Sequence, residues 1–576
     1  MAASAAGKIR RVHRGALLLA AAALASCGRC GGPPAARSAE ELLPAQAPGA
    51  FVTAALSQVA RHADELLTRT AQLPGGEQIG DSRKAVAAQL GFDPLSRQGL
   101  LSAGLDPDRS AAFVLTQAEG KRPGFVAALP LSDPQAFARG LDKLARERAG
   151  YAERTEEARG NVKAVVFSRP GGAQKLAYAV VRGYGVVARG DDPGEDLAAA
   201  AARLPDQSLA KEARFAAARA ALAGAGAPLV GTPPGASGAP GGSAAPGAPA
   251  AVAPDLVFFA AAQGPVQTRL FGQPLPGDVA LGISAGPGGL VLRGSLSLAA
   301  PDAHEVAALL PGGGEALAAL LPRDAPVQLR LGLQPAQLPQ ALSRVPALRE
   351  FLSTLRAALA EKKVDLDSDL FGALQPGVVA ALSLSPTANL ARAVDADLLD
   401  LRSHSPFDVV HLAVYAGAAD AARLRPALQA VADALPRFGA AATRSQTGDG
   451  VEWLVTSSGG QGARFGLRTV GGTALAYLVG GESLEAALAR KDGQGAGGGA
   501  AALRIDFGQL AAQVAALPQS AYGTGPQSYV ARSLVGQVIE PLRPLAMRAT
   551  IAPGAQGLLV ELTVAIAQAA SADTAR

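Results

Sequence analysis

The pentapeptide Gly282-Ile283-Ser284-Ala285-Gly286 has the spacing G-x-S-x-G, which can hold a serine hydroxyl out on a tight turn for nucleophilic attack. His304, His404 and His411 lie downstream and could supply the base. That chemistry needs a strand, a strained turn and a helix in succession. The flanking residues instead read strand, glycine turn, strand, and the corresponding position in a second copy of the segment is read as Thr550. A hairpin built from small residues is the expectation, and a serine hydrolase using Ser284 is the second alternative for function.

The remaining reactive side chains form no familiar set. His62 and the three later histidines show no paired spacing of the H-E-x-x-H kind. In "VVHLAVYA", alternation puts His411 opposite Val410, Leu412 and Val414, which predicts a solvent-side strand histidine. "DLDSDLFG" from Asp365 begins like a calcium loop, but Leu370 stands where the glycine is obligatory and Pro376 where the terminal glutamate belongs. Asp191, Asp192, Glu195 and Asp196 suit the positive end of a helix starting near residue 193. No catalytic residue, metal site or cofactor is expected.

Cys27 and Cys30 are the only cysteines. A haem attachment would need histidine at Gly31, and a redox C-x-x-C should open a helix, whereas "GGPPAARSAEE" reads as a flexible tether. The body therefore has no thiol nucleophile, internal disulfide or thiolate metal site. Lys8, Arg10, Arg11 and Arg14 precede the apolar run "GALLLAAAALAS", which is too short for a permanent span and reads as an export signal over residues 1–26. Leu24-Ala25-Ser26-Cys27 resembles the lipobox of bacterial lipoproteins. The resemblance implies lipidation of Cys27 by more than one acyl chain, which is what stable anchoring requires. Gly28 in place of the aspartate that retains such proteins at the inner membrane implies the outer membrane. A tether over 27–45 would follow.

Charge excludes one large class of partner. The sequence has 53 Lys+Arg and 48 Asp+Glu, but four of those bases lie in the signal, leaving 49 against 48. So balanced a surface does not fit a phosphate backbone, and no nucleic acid is expected.

A chain of 576 residues exceeds one hydrophobic core, and its segments recur. "LPAQAP" at Leu43 returns as "LPRDAP" at Leu321, 278 positions later, and "GNVKAVVF" at Gly160 returns as "DGVEWLV", 290 positions later for Gly450. "KLAYAVVRGYGVVARGDDPGEDLAAAAA" is similar to "RFGLRTVGGTALAYLVGGESLEAALA", and Gly289 is matched by Gly557 at an offset of 268. The falling offset is accounted for by residues 223–254, a charge-free Gly/Pro/Ala insertion that reads as disordered. "GQGAGGGA" at 493–500 is a shorter linker of the same kind. Two tandem repeat domains are predicted, 46–300 and 301–576.

Within a copy, "SAAFVLT", "GFVAALPL", "VKAVVFS", "KLAYAVV" and "YGVVARG" read as strands. Asp133-Pro134 opens a helix with Phe137, Leu141 and Leu144 on one face and Gly150 at its end. In the second copy Pro426 predicts a helix starting near Leu424 rather than at Asp420. The predicted fold class is α+β, with an antiparallel sheet in each copy covered by helices.

This layout resembles a broad group of uncharacterised secreted or membrane-anchored bacterial proteins with a repeated domain, through "GFDPLSRQGLLSAGLDPDRSAAFVL", "VDLDSDLFGALQPGVVAALSLSP" and "QSLAKEARFAAARAAL". The resemblance implies architecture and brings no catalytic residues. The expected role is a non-catalytic interaction or scaffold protein of the cell envelope, held by its lipid and meeting envelope protein partners. A periplasmic carrier of a lipid or other apolar ligand is the first alternative.

Overall fold

The structure is a computed structural model that describes residues 36–73, 76–116, 122–223, 253–286, 288–343, 346–390, 406–447, 450–457, 460–491, 499–554 and 557–567. Cys27, Cys30, His404, the export signal and nearly all of the 223–254 insertion lie outside them.

The α+β class holds, with every strand pairing antiparallel and helices packed on the sheets. Among the described residues twenty strands run in chain order. In the first half they are β1 (Gly49–Ala55), β2 (Ser110–Thr116), β3 (Gly124–Pro130), β4 (Glu153–Arg159), β5 (Val162–Ser168), β6 (Lys175–Val181), β7 (Tyr184–Gly190), β8 (Leu256–Ala260), β9 (Asp278–Gly286) and β10 (Gly289–Ser297). In the second they are β11 (Val327–Leu331), β12 (Leu374–Leu384), β13 (Val410–Ala418), β14 (Ala441–Thr447), β15 (Gly450–Ser457), β16 (Gly460–Val470), β17 (Thr473–Gly480), β18 (Ala501–Asp506), β19 (Leu545–Gly554) and β20 (Gly557–Ile566). The five runs read as strands fall on β2, β3, β5, β6 and β7.

Two compact units divide the chain, and they cut across the 46–300 and 301–576 division. The first comprises Met1–Gln46 and Ala103–Lys211, the second Ala47–Ser102 and Glu212–Arg576. The reason is pairing between distant segments: β1 lies antiparallel to β8, Gly49 against Ala260, so the chain leaves the second unit and later returns to it.

In the first unit six strands pair in the order β2-β3-β7-β6-β5-β4. Asp133 caps the helix Pro134–Lys143, its carboxylate accepting from the amides of Gln135 and Ala136, and Phe137 buries the apolar face. The helix Pro193–Ala202 lies over β5, β6 and β7. Residues 36–45 do not form the expected tether. Ala36, Ala39, Leu42 and Leu43 are buried, the Ala36 amide donates to the Arg182 carbonyl at 3.1 Å, and Leu209 donates to the Leu43 carbonyl at 2.9 Å. Apolar residues at this spacing cover a sheet more favourably than they face water, so any tether is confined to residues before Ala36.

In the second unit fourteen strands pair in the order β14-β15-β16-β17-β13-β12-β11-β18-β19-β20-β10-β9-β8-β1. Thus β12-β13-β17-β16-β15-β14 follows the order of β2-β3-β7-β6-β5-β4, and β11-β18-β19-β20 follows that of β1-β8-β9-β10. Where β10 meets β20, Arg293 and Glu561 stand opposite each other and pair at 2.8 Å.

Both faces of the β13–β17 region are covered. Tyr415, Ala413, Tyr477 and Val479 pack with Leu317, Leu321 and Leu484 on one side. Trp453, stacked on Phe465 at 5.3 Å, packs with Leu424, Val451 and Leu467 on the other. The helix carrying Leu424 runs Ala421–Ala434, so the expected start near Leu424 is corrected. Asp420 caps it by accepting from the Arg423 amide at 3.0 Å, and Pro426 sits inside. The cap and the burial of Leu424, Ala427 and Ala430 outweigh the hydrogen bond that proline forgoes.

Candidate functional site

Chemically mixed side chains converge at one place in the second unit. Asp324, Ser383, Leu384, Ser385, Pro386, His411, Glu482, Arg490, Gln513, Ala516 and Leu517 line a cavity of about 330 Å³. β12 ends at Leu384, β13 presents His411, and the short helix Leu484–Ala489 sets Glu482 and Arg490 on either side of it. The helix Phe507–Ala516 supplies Gln513, whose side-chain oxygen accepts from the Leu384 amide at 2.9 Å and whose nitrogen donates to the Asp324 carbonyl at 2.6 Å.

Arg490 is shared by two carboxylates. One terminal nitrogen donates to both oxygens of Asp324 at 2.8 and 2.7 Å, the other to both oxygens of Glu482 at 2.5 and 2.6 Å. Charge-assisted hydrogen bonds of this kind are stronger than those between neutral groups. His411 Nδ1 lies 3.8 Å from Glu482 Oε2, with both side chains largely buried at 14% and 9% exposure. Burial pushes the His411 pKa below the ordinary histidine value, outweighing the opposing pull of Glu482, while Arg490 pushes the same way as burial.

Four residues further along β13 and on the same face, the Tyr415 hydroxyl is fully buried and has no hydrogen-bond partner among the described residues. Burial, then the Glu482 charge, drives its pKa upward. Gly481 shapes the approach: its φ of +80° is a left-handed value, and a Cβ there would come within 2.5 Å of His411 Cδ2.

The solvent-side reading of His411 is therefore corrected. Alternation was right about which residues share its face, since Val410, Leu412 and Val414 point the other way. But the face that His411 shares with Ala413 and Tyr415 is the one roofed by Leu317, Leu321 and Leu484. Periodicity gives the two faces of a strand and does not say which is covered.

The other residues singled out by sequence lie apart from this cavity. Ser284 is in β9, opposite Val291 of β10, with the hairpin turning at Gly286 and Gly289. This is strand, turn, strand, not an elbow, and no hydrogen bond joins Ser284 to a histidine among the described residues. Counting back from the equivalent turn at Gly554 and Gly557 equates Ser284 with Ala552, which corrects Thr550. His62 Nδ1 meets Asp255 Oδ1 at 2.8 Å; Asp255 also accepts from Gln58 at 3.0 Å and from the Ala285 amide at 2.9 Å, so the pair pins a helix to β8 and β9. His304 is exposed on the helix Ala300–Leu309. Asp192 caps the helix beginning at Pro193.

The "DLDSDLFG" carboxylates are held by protein groups: Asp365 caps Ser368, Asp367 meets Arg356 at 2.9 Å, and Asp369 meets Arg423 at 2.6 Å. Among the described residues no group of three or more His, Cys, Asp or Glu side chains is placed to hold a metal. Nor is any helix among them long and apolar enough to cross a membrane.

Sequence reasoning singled out only His411 among the titratable residues of the cavity. Asp324 and Arg490 are 166 positions apart, and no linear spacing announces their pairing.

No protein-family model matches the chain, and no curated protein does. Among solved structures, TP0453 in its crystal form III is similar to it at 13% identity, over 48% of this chain and 88% of that one, with a TM-score of 0.24. A likeness of that size carries no argument about function.

Proposed function

We propose that this chain is an exported, lipid-anchored protein of a bacterial cell envelope, facing the periplasm or the cell surface at the outer membrane, whose body is a non-catalytic scaffold built from two copies of one unit. The recurring pairing order of β2–β7 and β12–β17 supports the duplication. Support for the anchor comes from the export signal and the lipobox residues ending at Cys27.

The observation that carries the scaffold role is the contrast between two sheet edges. β4, "ERTEEAR", has five charged residues in seven, the usual protection of an edge strand. β14, "AATRSQT", has Arg444 alone, is exposed along most of its length, and pairs only with β15 among the described residues. An edge of that kind accepts an added strand from a partner.

The test is a photo-crosslinking residue at Ser445, compared with one at Glu156, in cells making the full-length protein. A discrete adduct at Ser445 that Thr443→Pro abolishes is expected; equal labelling at both positions would overturn the scaffold role. For the anchor, metabolic labelling with an alkyne-tagged fatty acid should mark the protein, and Cys27→Ser should remove the label.

A second reading, a carrier of an apolar ligand, has its own observation. Leu296, Leu298, Val306, Leu309 and Leu558 line a cavity of about 300 Å³ where β10 and β20 meet, with Asp302, Glu305, Gln337 and Gln340 among its other lining residues. A native mass above the denatured mass, beyond the acyl groups, would favour this reading over the scaffold.

A further inference from the structure

The polar cavity around His411 has an imbalance of charge that bears on what it can hold. Its single guanidinium, Arg490, gives both terminal nitrogens to Asp324 and Glu482, so those two nitrogens are already engaged by carboxylates. Two carboxylates share that one cation. His411 does not make up the difference, because its burial favours the neutral ring. The site therefore retains about one surplus negative charge, shared between the buried Glu482 and the half-exposed Asp324.

The acceptors available are correspondingly many. Glu482, nine-tenths buried, has lone pairs beyond those used by Arg490; the neutral imidazole offers a ring nitrogen; Ser383 and Ser385 are buried in the wall. The phenol of Tyr415 lies on the same face of β13 but does not line the cavity. No aromatic ring lines the cavity, so it lacks the cage that selects quaternary ammonium groups. Its volume of about 330 Å³ stands at the lower end of the ~300–1,000 Å³ range of ligand pockets, which points to a small molecule.

We propose that this cavity binds a small polar molecule bearing a primary ammonium group, with the ammonium directed at Glu482 and His411. Three N–H donors on one compact cation match the acceptors present, and the added charge cancels the surplus. Asp324, at the half-exposed mouth, provides attraction on entry. The inference is independent of the anchor and of the β14 edge.

The test uses the full-length protein in detergent and ligand-observed NMR with ethanolamine as the probe, with tetramethylammonium and acetate as controls. Ethanolamine is expected to bind, tetramethylammonium and acetate not to. Glu482→Gln and Asp324→Asn should each weaken ethanolamine by about tenfold or more, equivalent to about 1.4 kcal/mol. Each substitution removes half of the Arg490 clamp, so circular dichroism checks that both variants fold, and retained affinity in either folded variant overturns the proposal. Failure of the wild-type protein to bind ethanolamine, or binding of acetate in its place, overturns it as well.

Discussion

The His411 cavity and the corresponding place in the first half of the chain are built on the same strand order with different side chains. Strand register equates His411 with Gly124, Tyr415 with Ala128 and Glu482 with Asp191. The "LPAQAP" and "LPRDAP" segments equate Asp324 with Gln46, and counting from the helix caps Ser483 and Asp192 equates Arg490 with Ala199. One half thus has a clamped arginine beneath a histidine. The other has glycine and alanine at those positions. The backbone supports both, which teaches that the cavity is not required by the fold. Its charges are an addition that must be stabilised by its own hydrogen bonds, since a carboxylate with 9% exposure would otherwise be costly.

That contrast can be broken or sharpened by substitution. The largest effect should come from the apolar layer on the other face of the sheet. Trp453→Ala removes a ring that is 1% exposed and stacked on Phe465, and should cost about 3–5 kcal/mol in chemical denaturation followed by circular dichroism. Register places Val165 at this position in the first half, and Val165→Ala should cost clearly less, because fewer atoms leave the core.

Arg490→Ala comes next. It leaves Glu482 buried without its partner, at a cost of about 2–3 kcal/mol, below the full figure for a buried pair because Arg490 itself keeps 29% of its side chain exposed. Ala199→Gly should not produce a comparable loss. If Arg490→Ala melts like the wild type, the clamp contributes nothing to the second half and the contrast between the halves is only chemical.

The helix caps should behave alike in the two halves. Asp133 and Asp420 each accept from backbone amides of the first turn, so Asp133→Ala and Asp420→Ala should each cost about 1 kcal/mol. A large inequality would show that Pro426 makes its helix more dependent on the cap.

The smallest effect is a pH dependence confined to the second half. The folded His411 pKa lies below its unfolded value near 6.5, so the unfolded chain takes up the proton first as pH falls. The stability contributed by the neutral, buried ring is fully present above about pH 6.5 and is lost progressively as pH drops from there toward the lowered folded value. Glu482, Arg490 and Asp324 face the ring and set how far that window extends. His411→Gln should flatten the fall in melting temperature between about pH 7.5 and about pH 5. Gly124 gives the first half no such group. An unchanged slope in His411→Gln would mean that other groups carry the acid sensitivity.

How much of this was legible beforehand differs from residue to residue. β2, β3, β5, β6 and β7 could be read because each is a short run of Val, Ala and aromatics between Gly, Pro or Asp, and the helix at Pro134 because Asp133 and the Phe137 face are local signals. β4 could not: "ERTEEAR" has no apolar periodicity, and it is a strand because β5 offers it an edge. Residues 36–45 looked like a tether because "PPAARSAEE" is polar in composition, yet Ala39, Leu42 and Leu43 cover the sheet. For the cavity, His411 and the identity of its face-mates were legible, whereas Glu482, Arg490 and Asp324 were not.

The sequence alone determined the α+β class, the strand and cap positions that rest on neighbouring residues, and the lack of a cysteine after Cys30, because these are properties of composition and short spacing. Tertiary structure alone decided which face of β13 is roofed, that β1 pairs with β8, and that Arg490 lies between Asp324 and Glu482. Each of those depends on residues far apart in the chain, joined by burial and hydrogen bonding that no local pattern encodes.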